Sequence, residues 1–336
     1  MKNLILGLAL AFSTPSFAAT QLTGAGATFP FPLYSKWFDE YHKVKPDVTV
    51  NYNSIGSGGG IKNLLEGTVD FGASDAPMNA EEMGKAKVPV VHVPTVLGAV
   101  VVSYNLPSVT KPLNLSGDVI ADIYLGKITK WNDAKIAALN KGVKLPETDI
   151  LTAYRADGSG TTAIFTDYLA KVSPEWKTKV GAGKSVAFPV GIAGKGNEGV
   201  AGLVKQTEGT IGYLELVYAA NNKLSFANVK NKSGAFVKPS TDSVSAAAAG
   251  ALKAMPEDFR VSITDAEGKG SYPISSFTYL LVPSKLGKEH GKEIVDLVKW
   301  VISPSAQKMA PGLEYAPLPS GLVAKVKAKV STIKVE

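Results

Sequence analysis

A chain of 336 residues without a single cysteine excludes a disulfide-stapled scaffold and a lipid-anchored cysteine terminus, so a large apolar core must hold it together. The 36 Lys and Arg against 29 Asp and Glu give a net charge of +7, yet the basic residues are scattered and gather only in Lys325-Val-Lys-Ala-Lys329. No aromatic-flanked basic stripe accompanies them, which argues against nucleic acid as a partner; most of these charges read as solvated face, with electrostatic collection of anionic ligands as the second reading.

Residues 1–19 read as a secretion leader. Lys2 precedes an apolar stretch, Leu4 to Phe12, too short to span a bilayer, and small residues follow, with cleavage expected after Ala18 or Ala19. A soluble periplasmic protein of a Gram-negative bacterium is expected. The 317 residues that remain exceed what one core usually supports, so two lobes are expected.

Along the mature chain, Gly24-Ala-Gly-Ala-Thr-Phe29 opens a helix over Pro30–Tyr41, where aromatic and aliphatic residues recur at helical spacing. A strand over Asp47–Tyr52 leads to Ile55-Gly-Ser-Gly-Gly-Gly60 and a short helix, Ile61–Glu66. Gly67–Ser74 reads as a strand running into a loop at Asp75-Ala-Pro77, and Val88–Asn105 is too apolar and β-branched for anything but buried strand. Helices are expected over Gly117–Tyr124 and Trp131–Leu139, after which Leu145–Tyr154 leads into Arg155-Ala-Asp-Gly-Ser-Gly-Thr161 and a helix over Thr162–Ala170. The region 221–270, rich in Ala, Ser, Asn and Lys, carries one expected helix, Ala246–Ala251, and no evident chemistry. A second long apolar strand, Tyr272–Val282, precedes a helix over Gly291–Ile302. This alternation predicts α/β layers with mostly parallel sheets flanked by helices. The two long apolar strands read as crossings between lobes, so lobe one is expected to comprise 20–98 plus 275–336, and lobe two 99–274.

Three helix starts rich in Gly, Ser and Thr share one design. A helix start leaves backbone N–H groups unpaired in front of the positive end of its dipole, which makes it an anion site. The Arg155 segment adds two hydroxyls and a forked, charge-assisted donor. Read together, the three starts predict helix N-termini converging on one anion. Gly194-Lys-Gly-Asn-Glu-Gly199 offers a fourth such start or a simple cap, and the cap reading is favoured. Covalent and metal chemistry lack their residues. His42, His92 and His290 lie far apart, without ligand spacing, and no G-x-S-x-G, HExxH or Walker A pattern occurs. An enzyme acting on phosphate esters would need such a nucleophile or metal cluster, so a binding protein without a cofactor is expected.

Several of these segments in order resemble the periplasmic phosphate-binding proteins of high-affinity ABC phosphate importers, the PstS family. The likeness rests on Gly24–Pro30, Ile55-Gly-Ser57, Val69-Asp-Phe-Gly-Ala-Ser-Asp-Ala-Pro77, Tyr124-Leu-Gly-Lys127 and Arg155–Thr161. It continues through Gly194-Lys-Gly-Asn197, Ile211-Gly-Tyr213 and Tyr315-Ala-Pro-Leu-Pro319, and so covers nearly all of the mature chain. The resemblance implies a two-lobed periplasmic binding protein of type II, with two crossover strands, closing as a monomer on inorganic phosphate. It also implies delivery to the inner-membrane permease and ATPase subunits of an ABC importer. The implied phosphate contacts are Thr28, Phe29 through its backbone N–H, Ser57, Asp75, Arg155, Ser159, Gly160 and Thr161, with Asp157 orienting the arginine. Tyr154 stands where some family members carry a second basic residue.

The chemistry of these residues agrees with that ligand. Four hydroxyls, an arginine and backbone N–H groups donate. Asp75, when ionised, only accepts, which suits an anion that keeps a proton and penalises one that has none.

Overall fold

The computed structural model of the protein describes residues 19–336. The expected leader lies outside the described residues, apart from its last position, Ala19. From there the chain runs β1 (Thr20–Gly26), α1 (Phe31–Val44), β2 (Val48–Ser54), α2 (Ser57–Glu66), β3 (Phe71–Ser74), α3 (Ala80–Gly84) and the long β4 (Val90–Tyr104). It continues with β5 (Asn114–Leu115), α4 (Gly117–Tyr124), α5 (Ala134–Leu139), β6 (Leu151–Arg155), α6 (Gly160–Val172), α7 (Pro174–Lys179), β7 (Ile192–Gly194), α8 (Gly196–Gln206), β8 (Thr210–Glu215) and α9 (Leu216–Asn221). Short strands β9 (Ser225–Phe226), β10 (Asn228–Lys230) and β11 (Phe236–Val237) precede α10 (Thr241–Ala251) and the second long strand, β12 (Ser275–Pro283). The C-terminal part comprises β13 (Lys285–Leu286), α11 (Gly291–Val301), α12 (Pro304–Gln307), α13 (Ser320–Val330) and β14 (Lys334–Val335).

The main strands lie in the order β2-β1-β3-β12-β4-β8-β6-β7, with β9 also on β4. The outer pairs are parallel: β1 with β2 and β3, and β6 with β7 and β8. The two long strands in the middle are antiparallel to their neighbours. β4 changes partners along its length. Its residues up to Ala99 pair with β12, and from Val100 to Tyr104 they pair with β8. All 15 of its residues are buried, which is why its sequence is a continuous apolar run rather than an alternating one. The molecule is thus a two-lobed α/β fold whose halves share the strands that cross between them.

Each half carries its own aromatic core. In the first, α1 buries Leu33, Tyr34, Trp37, Phe38 and Tyr41, one stripe at helical spacing. Tyr34 meets the ring of Tyr52 edge-on at 5.7 Å, and Phe38 lies 6.1 Å from Phe71. In the second, Phe165 stacks on Tyr213 at 4.2 Å, and Tyr124 packs edge-on against Phe165 at 5.0 Å. Several expected elements start later than their composition suggests, and for two the cause is local. β3 begins at Phe71 because Gly67 ends α2 in the left-handed region and Asp70 turns to accept the Thr23 N–H at 2.7 Å. α5 begins at Ala134 because the Asp133 carboxylate caps Lys135 N–H, leaving Trp131 outside the helix with its indole bonded to Gly209 O at 2.9 Å.

Candidate functional site

Four chain segments end at one buried place between the halves. From the first half come the β1–α1 turn with Thr28 and Phe29, the start of α2 with Ser57, and the end of β3 with Asp75. From the second come the end of β6 with Arg155 and the start of α6 with Ser159, Gly160 and Thr161. Thr28, Phe29, Ser57, Asp75, Ser159 and Thr161 are at most 2 % exposed, and the Arg155 side chain is 1 % exposed. Burying this many polar groups is costly unless each has a partner.

Arg155 is held by its own loop. Its Nε donates to Asp157 Oδ1 at 2.8 Å, its Nη2 donates to Asp157 Oδ2, and its Nη1 donates to Thr161 Oγ1 at 3.2 Å. Its backbone N–H is tied to Tyr213 Oη at 3.2 Å. Asp157 also accepts the Gly196 N–H at 3.0 Å. Burial opposes ionisation of Asp157, but the Arg155 fork and the Gly196 N–H outweigh it and hold the carboxyl below its ordinary range. Tyr154 carries no charge to the rim and instead stacks on Phe188 at 4.6 Å.

The hydroxyls share a pattern: each accepts a hydrogen bond from a protein N–H. Ser159 Oγ caps α6 by accepting Thr162 N–H at 3.0 Å, and Ser57 Oγ accepts Asp75 N–H at 3.2 Å. Thr161 Oγ1 accepts from Arg155, and Thr28 Oγ1 accepts from Asn197 Nδ2 at 2.7 Å. A hydroxyl that accepts in this way keeps its own proton for donation. The first-turn N–H groups of α2 and α6 add donors without intrahelical partners.

Asp75 brings a carboxylate into this donor-rich place. Its Oδ1 accepts Thr278 Oγ1–H at 2.8 Å, and its Oδ2 lies 3.4 Å from the Ser57 hydroxyl. Burial pushes its carboxyl up to about 7, against the Thr278, Arg155 and Ser57 interactions that favour the ionised form. The halves meet closely here. A Cβ on Gly160 would lie 2.4 Å from Ser57 Oγ and 2.6 Å from Asp75 Oδ2, so only glycine fits while the halves are in contact. Beside it, Gly58 N–H donates to Gly158 O across the gap at 2.8 Å.

Two contributors were not singled out from sequence. Thr278 lies inside an apolar strand, with no local signal of its role. Asn197 lies in Gly194–Gly199, where the sequence favours a simple cap. The structure puts that helix start to other work: Gly196 N–H serves Asp157, and Asn197 reaches Thr28 and Thr161. The region 221–270 is also less inert than its composition suggests. Arg260 and Asp258 line a groove of about 980 Å³ that opens beside Asp75, together with Glu82 and Lys184. Lys184 Nζ lies 2.8 Å from Glu82, and Arg260 Nη1 donates to Met78 O at 3.3 Å, so both cations tie the halves together. Among the described residues no group of three or more His, Cys, Asp or Glu is placed to hold a metal ion.

The sequence and the fold both have known counterparts. A family model described as a PBP superfamily domain matches residues 13–305. The phosphate-binding protein PstS of Pasteurella multocida is 45 % identical over 329 residues, covering 97 % of this chain and 94 % of that one. The phosphate-binding protein PstS of Haemophilus influenzae is 43 % identical over 327 residues, covering 96 % of each. Among solved structures, a substrate-binding protein of a putative phosphate ABC transporter from Clostridium perfringens, with phosphate bound, superposes with a TM-score of 0.66. That likeness comes at 20 % identity, over 89 % of this chain and all of the other.

Proposed function

We infer the function from one premise: this chain belongs to the PBP superfamily and, within it, to the PstS phosphate-binding proteins. It binds one inorganic phosphate between its closing lobes and delivers it to the permease and ATPase subunits of an inner-membrane ABC importer. The lobes are 20–98 with 275–336, and 99–274, a division supported by the change of partners along β4 between Ala99 and Val100. Residues 1–19 are a leader removed on export, and the mature protein works as a periplasmic monomer that binds rather than transforms its ligand.

The observation that carries this reading is the composition of the buried site. Donors surround a single carboxylate: an arginine, four hydroxyls and two helix starts, drawn from both halves. Thr28, Phe29, Ser57 and Asp75 contact the ligand from lobe one, and Arg155, Ser159, Gly160 and Thr161 from lobe two, with Asp157 holding the guanidinium fork. Such a ligand stabilises the closed form by the contacts it makes only there.

Calorimetric titration of the mature protein with phosphate, beside Arg155→Ala, tests the reading. Wild type should bind one phosphate per chain. The variant should lose about 2–5 kcal/mol of binding, the scale for removing one partner of a buried charge-assisted pair. Absence of phosphate heat, or an Arg155→Ala protein that binds as wild type does, would contradict it.

A further inference from the structure

Asn197, fully buried as the second residue of α8, lies between two of the site's hydroxyls. Its Oδ1 accepts the backbone N–H of Glu215 at 2.9 Å. A backbone N–H is only a donor, so this bond settles which end of the amide is which. The Nδ2 end therefore faces the cleft, 2.7 Å from Thr28 Oγ1 in one half and 3.2 Å from Thr161 Oγ1 in the other. The Asn197 backbone N–H adds a second, longer bond to Thr28 Oγ1 at 3.3 Å. Thr161 Oγ1 likewise receives a second donor, Arg155 Nη1 at 3.2 Å.

A hydroxyl has two lone pairs and one proton. Both lone pairs of Thr28 and both of Thr161 are engaged by protein N–H groups, so neither oxygen has capacity left to accept from a ligand. Their protons are what remains, and among the described residues neither hydroxyl donates to a protein acceptor. We propose that Asn197 is a positioning residue that makes Thr28 and Thr161 obligate donors to the bound anion. The inference rests on the phosphate reading of the site and deepens it. With these two hydroxyls fixed as donors, a proton on the ligand is left to Asp75 and to the lone pairs that Ser57 and Ser159 keep after accepting one backbone N–H each. A ligand that directs a proton at Thr28 or Thr161 leaves that proton and the hydroxyl unpaired, which is where hydrogen-bonding sites discriminate most strongly.

The test uses the mature protein with phosphate as probe. Affinities are measured by calorimetry from pH 6 to pH 8.5 for wild type, Asn197→Ala and Asn197→Asp. Asn197→Asp keeps the shape and the Glu215 bond but turns a donor into an acceptor, so it decides the matter even if Asn197→Ala fails to fold. Asn197→Ala should weaken binding at least tenfold. Asn197→Asp should weaken it more, with a penalty that grows as pH rises and phosphate loses its second proton, because the aspartate then draws the threonine protons away from the dianion. In a Thr28→Val/Thr161→Val background, Asn197→Ala should cost less than about twofold, since the hydroxyls it acts through are gone. A purely structural role would give equal losses in both backgrounds and a pH profile parallel to wild type, and either result would overturn the inference while leaving phosphate binding intact. Failure of wild type itself to bind phosphate would overturn the underlying reading and the inference with it.

Discussion

Asp75 is the residue whose ionisation the fold resists most consequentially. An exposed aspartate loses its proton near pH 4, whereas buried Asp75 keeps its own up to about 7. Between those values the folded chain binds more protons than the unfolded one, so this group's contribution to stability is present below pH 4 and is lost as pH rises through 7. Depressed carboxyls such as Glu175, whose hydrogen bonds to Lys127 and Lys179 pull it down to about 2, act in the opposite sense. The difference between wild type and Asp75→Asn therefore isolates Asp75. In urea unfolding without phosphate, wild type should lose about 1–4 kcal/mol relative to Asp75→Asn between pH 4 and pH 8. A difference that stays constant with pH would mean that water reaches Asp75 in the ligand-free protein. Residues near each other in sequence made this site readable. Arg155, Asp157, Ser159 and Thr161 lie within seven positions, and their chemistry is local. Thr278 and Asn197 join from distant segments, and nothing in their immediate sequence distinguishes them from a strand threonine and a helix-start asparagine.

Helix starts, rather than single side chains, are the working elements of the cleft. α2 and α6 approach end to end, and Gly160 is a point of close contact between them. Gly160→Ala leaves α6 intact, because alanine is the better helix former and the Ser159 cap is untouched. The added methyl would occupy the space of Ser57 Oγ and Asp75 Oδ2, so the halves could not close. Phosphate affinity should fall at least a hundredfold, while the melting temperature of the ligand-free protein should change by no more than a few degrees. Unaltered affinity would mean that the halves close by another path. At this scale the sequence showed which segments are helix starts, since glycine and hydroxyl clusters announce them. It did not show that α8, with the same signature, serves Asp157 and the two threonines. An N–H group is equally able to meet a ligand or a neighbouring side chain, and only the tertiary arrangement decides which.

For the molecule as a whole, the long apolar runs at Val88–Asn105 and Tyr272–Val282 were legible as buried strands because both faces of each are covered. The position where β4 leaves β12 for β8 was not, since apolar residues on both sides of Ala99 look alike in sequence. On the proposed function, that shared strand is the hinge about which the two halves would close, and the contacts between them would set the response to ligand. Gly58 to Gly158, Lys184 to Glu82 and Arg260 to Met78 all bridge the gap. Closure removes water from a site with many donors and one carboxylate acceptor. Inside it, an ionised Asp75 facing an anion without a proton would meet a buried like charge with no hydrogen bond between them. The central claim is that this penalty selects phosphate. Titrating the mature protein with phosphate at pH 8, alone and with a large excess of sulfate, tests it most directly. The account predicts tight one-to-one phosphate binding that sulfate leaves unchanged, with a rejection of roughly 10⁴-fold or more. Displacement of phosphate by sulfate at comparable concentrations would contradict it.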